Sequence, residues 1–192
     1  MKNVLVTNGV VEAEPLQTLL PYIHAMNVDI KSMSDDFYRR LCGGRTQAPR
    51  ETVEAAVGRC HVEITNLLIP GENDADDQIQ TLVDWVAGVS KHLPVHFSAY
   101  HPAHRFKAAP TPASTVKRAY DIAIQKLKYV YIGNLYLDGT TDTRCPDCGV
   151  VAHRVHSRRV QRVRDIPVAG AVEVVWAKRR WFCDEDLCAR GT

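Results

Sequence analysis

No run in these 192 residues reaches the roughly 18–20 consecutive apolar positions of a membrane-spanning helix. The opening Met1-Lys-Asn-Val-Leu-Val-Thr-Asn-Gly9 lacks the apolar core of about 7–15 residues that a secretory signal requires. A cytoplasmic protein with reduced thiols and no membrane partner is therefore expected. Internal repeats and low-complexity tracts are missing too, which argues against a solenoid or a disordered tether. Cysteine is scarce. Of six residues, Cys42 and Cys60 stand alone and read as buried small hydrophobes. Charge of one sign is nearly balanced overall, at a net of +2, but it is unevenly spread. Residues 1–143 hold 14 Lys and Arg against 16 Asp and Glu, whereas residues 144–192 hold 10 against 6. That asymmetry assigns an anionic partner to the C-terminal part.

The other four cysteines are grouped. Cys145-Pro-Asp-Cys148 is a C-x2-C and Cys183-Asp-Glu-Asp-Leu-Cys188 a C-x4-C. Each short pair can present two thiolates to one ion, and four thiolates suit a closed tetrahedral Zn2+ site. His153 and His156 are alternative ligands, but four thiolates leave no position for them.

Ahead of these cysteines, β-rich runs alternate with helical patterns. The runs are Asn3–Thr7, Met26–Lys31, Val62–Ile69, Val95–Ala99 and Tyr129–Gly133. Helical patterns cover Glu14–Tyr22, a start at Ser34, Pro49–Arg59, Asp74–His92 and Ser114–Leu127. In Asp74–His92, the residues Ile79, Leu82, Val83, Val86 and Val89 form one apolar stripe. Strand alternating with helix predicts βαβ units on a parallel sheet. Ligand chemistry then belongs at the C-terminal ends of the strands. The predicted division is 1–135, a linker 136–143, and a module over 144–192.

Asn27, Asp29 and Lys31 are spaced by two, so they share one face. A carboxylate and an ammonium there pair with each other or hold a ligand. Tyr100-His101-Pro102 brings an imidazole to the same rim. A plain structural ion pair with a loop histidine explains these residues equally well.

Seven stretches in order resemble the later part of a radical S-adenosylmethionine enzyme of the AmmeMemoRadiSam branch, relatives of the pyruvate formate-lyase-activating enzymes. They are Asn3-Val-Leu-Val-Thr-Asn-Gly9, Asn27-Val-Asp-Ile-Lys31, Phe37-Tyr-Arg-Arg-Leu-Cys-Gly-Gly44, Glu63-Ile-Thr-Asn-Leu-Leu-Ile-Pro-Gly-Glu-Asn-Asp74, His96-Phe-Ser-Ala-Tyr-His-Pro102, Lys128-Tyr-Val-Tyr-Ile-Gly-Asn134 and Cys145-Pro-Asp-Cys-Gly149. The resemblance implies a partial (β/α) barrel. It also implies that Asp29, Lys31 and His101, with Thr7, Asn8 and Gly9, line an S-adenosylmethionine rim.

The sequence departs from that family where its catalysis begins. The C-x3-C-x2-C loop that holds a [4Fe–4S] cluster is not among these residues, and the first cysteine is Cys42. Relatives often carry an acid before Thr-Asn-Gly, where Val6 stands here. The first strands of the barrel and the glycine-rich cofactor strand have no counterpart, so Met1 reads as an internal start. No [4Fe–4S] cluster and no catalytic residue are expected in this chain, because the radical chemistry resides in the cluster.

From Cys145 on, the resemblance changes to the N-terminal zinc-binding domain of ISL-three transposases. It is carried by the cysteine frame with His153-Arg-Val-His-Ser-Arg-Arg159, Arg164-Asp-Ile-Pro167, Val172–Val175, Arg179-Arg-Trp-Phe-Cys183 and Cys188-Ala-Arg190. Arg154, Arg158, Arg159, Arg162 and Arg164 have no acid among them and can neutralise phosphates without reading sequence. A solvated basic face is the plainer reading of the same run. Val172–Trp176 and Lys178–Phe182 are expected as short strands on the zinc. The whole then reads as an α/β half barrel joined to a small zinc-stapled β-rich module. On this reading the chain is inactive alone, binds Zn2+ and DNA, and self-associates or takes a complementing chain at its open barrel edge. Two other readings remain: an enzyme completed by a separate cluster-binding segment, and an interaction module.

Overall fold

A computed structural model describes residues 2–103, 106–145 and 147–151, together with the backbone of strands Arg154–Arg164 and Glu173–Phe182. The chain divides into two compact units, residues 3–141 and a second that contains 142–192.

The first unit is a five-stranded sheet in the order β1-β2-β3-β4-β5. Its strands are β1 Val4–Thr7, β2 Ala25–Asp29, β3 His61–Leu68, β4 Val95–Ala99 and β5 Val130–Gly133. Every neighbouring pair is parallel. Helices α1 (Ala13–Leu19), α3 (Gln47–Ala56), α4 (Asp76–Val89) and α5 (Ala113–Ala123) bridge the strands, with a single turn α2 at Asp35–Phe37.

The period-two pattern of each strand decides where the core lies. Met26 and Val28, Val62 and Ile64, Val95 and Phe97, and Val130 and Ile132 are buried with Leu16 of α1, Val53 of α3, Val83 and Val86 of α4 and Val116 of α5. The intervening strand residues form a second, half-exposed face: Asn27 and Asp29, Glu63 and Thr65, His96 and Ser98, Tyr131 and Gly133. Parallel sheets normally bury both faces under helices. Here one face is polar and uncovered, as the inside of a barrel would be. Gly133 serves that face sterically, since an added Cβ would stand 2.5 Å from Ser98 Oγ.

Some expectations shift. The helix ending at Tyr22 finishes as a 3₁₀ turn, Leu20–Tyr22, and α2 runs into a π-helical turn, Tyr38–Cys42, closed by Gly43 at φ 69°. Such turns insert one residue and often stand at functional sites. Cys42 is exposed and Cys60 half-buried, because Cys42 ends that turn at the rim rather than in the core. The expected linker is packed as well. Leu137 lies against the core and Thr140 is buried, its hydroxyl donating to Leu137 O at 2.6 Å.

In the second unit, β6 (Arg154–Arg164) and β7 (Glu173–Phe182) form an antiparallel two-stranded sheet. The basic run is thus a strand. The two short segments expected around Val172–Trp176 and Lys178–Phe182 are one strand.

Candidate functional site

The C-terminal ends of β1, β2 and β4 carry the sequence-predicted rim. Thr7 closes β1, and Asn8 and Gly9 turn the chain into α1. Thr7 Oγ1 accepts from Gly9 N–H, and Asn8 Oδ1 accepts from Val10 N–H, both at 3.0 Å. Gly9 is buried at φ 72°, and a Cβ there would meet Val28 Cγ1 at 2.8 Å and Pro49 Cα at 2.9 Å. Both the backbone angle and the space demand glycine. Its carbonyl accepts the buried Thr52 hydroxyl at 2.7 Å.

Asp29 ends β2, and Lys31 follows just past the strand. The Lys31 ammonium donates to Asp29 Oδ2, both side chains being about a third exposed. Among the described residues, Asp29 Oδ1 is buried and has no hydrogen-bond partner. A buried carboxylate oxygen without a donor is costly. Asn27 is separate from the pair, its amide oxygen accepting from Thr65 Oγ1 at 2.9 Å. His101 is exposed just beyond β4.

Residues the sequence did not single out hold this rim. Buried Asn66 donates to Ile30 O at 2.7 Å. Asn73 donates to Lys31 O at 2.6 Å and to Leu67 O at 2.9 Å, and its oxygen accepts from Ile69 N–H at 2.6 Å. These bonds fix the chain that bears Lys31. The Tyr38 hydroxyl accepts from Lys31 N–H at 3.1 Å, and burial pushes this phenol up to about 12. Burial likewise raises the Cys42 thiol.

At the opposite end of the open face, Glu63 stands between His61 and His96, with the His96 ring stacked on Tyr131 at 5.2 Å. With His92, Pro94 and Tyr129 they line a depression of about 470 Å³. His61 and Glu63 share a face of β3 at a spacing of two, and the register of β3 against β4 adds His96.

In the second unit the chain turns after Cys145: Cys145 N–H donates to Val150 O, and Gly149 N–H donates to Cys145 O, both at 2.9 Å. Gly149 takes φ 76° in this turn. Cys183 and Cys188 lie outside the described residues. Arg154 pairs with Phe182 at one end of the β6–β7 sheet. Among the described residues, no three or more His, Cys, Asp or Glu side chains form a group that could hold a metal ion.

Two solved structures share the first unit's architecture. One is a domain of pyruvate-formate lyase-activating enzyme from Bacteroides vulgatus, at 17% identity and a TM-score of 0.60 over 68% of this chain and 80% of that one. The other is a radical SAM methyltransferase from Sphaerobacter thermophilus, at 21% identity and a TM-score of 0.50 over 71% of this chain and 41% of that one.

The first unit has a radical SAM fold.

An uncharacterized protein of Methanocaldococcus jannaschii is 39% identical over 156 residues, which is 79% of this chain. The chain spans about half the length of that relative, 46%. Residues 141–188 match the zinc-finger of transposases IS204/IS1001/IS1096/IS1165. The chain therefore joins a radical SAM-like fold to a transposase-type zinc ribbon. No helix among the described residues is long and apolar enough to cross a membrane.

Proposed function

We propose that the radical SAM-like unit is a half barrel that binds S-adenosylmethionine at the rim of Thr7, Asn8, Gly9, Asp29, Lys31 and His101 but does not cleave it by itself. The observation that supports this reading is the Asp29 carboxylate paired with the Lys31 ammonium, both about a third exposed, at the C-terminal edge of a parallel sheet. S-adenosylmethionine offers ammonium and hydroxyl donors to such a carboxylate and a carboxylate to Lys31. Reductive cleavage takes an electron from a [4Fe–4S] cluster, and these 192 residues contain no C-x3-C-x2-C to hold one. Cys145, Cys148, Cys183 and Cys188 hold one structural Zn2+. The zinc ribbon, with Arg154, Arg158, Arg159, Arg162 and Arg164, binds DNA through its phosphates in the cytoplasm. Calorimetry with S-adenosylmethionine, followed by anaerobic reconstitution with iron, sulfide and reductant, tests the reading. Binding that weakens in Asp29→Asn, without 5′-deoxyadenosine, is expected. No binding, or release of 5′-deoxyadenosine, contradicts it.

A second reading has support of its own. β1 is an edge strand in the described sheet, and Val4 and Val6 are 53% and 78% exposed. A bare apolar edge invites another strand. A separate polypeptide that supplies strands and a cluster loop there would make the half barrel part of an enzyme. Co-purification with such a segment, and 5′-deoxyadenosine formed only by the pair, distinguishes this case.

A further inference from the structure

The β6–β7 sheet is long for a zinc-stapled element. Its strands have 11 and 10 residues. At about 3.4 Å per residue they extend roughly 34 Å, one turn of B-form DNA. Among the described residues it has two strands only. A two-stranded ribbon suits the major groove, about 12 Å wide, and not the minor groove at about 6 Å.

Its charge is as distinctive as its shape. The two strands hold eight Lys or Arg and one acid, Glu173. Register sets like charges opposite each other: Arg158 pairs with Arg179, and Arg159 with Lys178. Directly opposed like charges destabilise a sheet unless an anion lies against them. Ser157 pairs with Arg180 on the adjoining rung, so three successive rungs carry five basic residues. Successive strand positions alternate between faces, and so the charge occupies both faces of the ribbon. A groove has phosphate walls on both sides.

We propose that the β6–β7 ribbon enters the major groove of duplex DNA, with the rungs at 157–159 and 178–180 placed between the phosphate walls. This rests on the zinc ribbon being a DNA-binding element, and it names the form of DNA and the groove.

The test uses the full zinc-loaded chain with a labelled 20-base-pair duplex, its separated strands and two unrelated duplexes, followed by anisotropy across salt. Duplex binding at least ~10-fold tighter than either single strand is expected. Methyl green, which occupies the major groove, should displace the chain, and netropsin, which occupies the minor groove, should not. Arg158→Ser with Arg179→Ser should lower the slope of log K against log salt by about 1.8, at about 0.9 per phosphate contact. Zinc content and circular dichroism confirm that the variant is folded, and the competition experiment needs no variant. Equal or tighter single-strand binding, or displacement by netropsin alone, overturns the groove assignment while DNA binding stands. Failure to bind any DNA overturns the DNA reading beneath it.

Discussion

His96 Nε2 on β4 lies 2.9 Å from Glu63 Oε2 on β3, and this contact ties the N-terminal ends of two neighbouring strands. His61 Nε2 takes the other Glu63 oxygen, also at 2.9 Å. The His96 bond foremost, with the His61 bond, holds the Glu63 carboxyl down to about 2. A depressed acid contributes stability above its unfolded value, near 4.5, and loses it as pH falls through the folded one. Glu63→Gln should cost about 1 kcal/mol near pH 6, modest because the carboxylate is a third exposed. Urea midpoints from pH 6 to pH 2 should show the gap between wild type and variant closing below about pH 4.5. A gap that stays constant would place the contribution outside the ionised carboxylate.

Asn73 makes three side-chain hydrogen bonds beneath the segment that bears Lys31. Asn73→Ala strands the Ile69 N–H and removes both carbonyl partners of the amide. A loss of about 2–3 kcal/mol is expected in chemical denaturation. Asn73→Asp keeps the acceptor for Ile69 N–H, but it sets a charge against the Lys31 and Leu67 carbonyl oxygens. Its loss should be at least as large. If alanine is tolerated within 0.5 kcal/mol, about the size of an ordinary surface change, the network does not hold the rim.

Gly9→Ala combines a left-handed backbone with a Cβ that meets Val28 and Pro49. Strain from the backbone alone is about 1–2 kcal/mol, and the contacts add to it. The same substitution at Gly43, also at positive φ but with open space around its Cβ, isolates the backbone part. Thermal melts of the two variants should rank Gly9→Ala as clearly the more damaging.

The strands of the first unit were legible because each is short and β-rich and all but β5 are followed by a helical pattern. Val95–Ala99 was read to the residue, and the others to within two residues at either end. Asp29 and Lys31 were legible as a pair because a spacing of two survives the end of β2. Strand β6 was not. Val160 and Val163 are three apart in a regularly paired stretch, so its apolar residues do not alternate with period two, and the arginines read as a surface run. The Glu63 cluster was invisible for another reason. It depends on the register of β3 against β4, which local sequence does not encode.

The β1 edge carries its own prediction. Val4→Lys with Val6→Lys should make a self-associating chain monomeric in light scattering, because charged edge residues block strand addition. An unchanged mass would show that association does not use this edge.

Metal content decides the central claim most directly. The account joins a radical SAM-like half barrel without its cluster to a zinc ribbon with four thiolate ligands. After anaerobic reconstitution with excess iron, sulfide and zinc, and removal of unbound metal, mass spectrometry should find about one zinc and no iron per chain. Cys183→Ser should lose that zinc. About four irons per chain, or zinc unchanged in Cys183→Ser, would contradict the account.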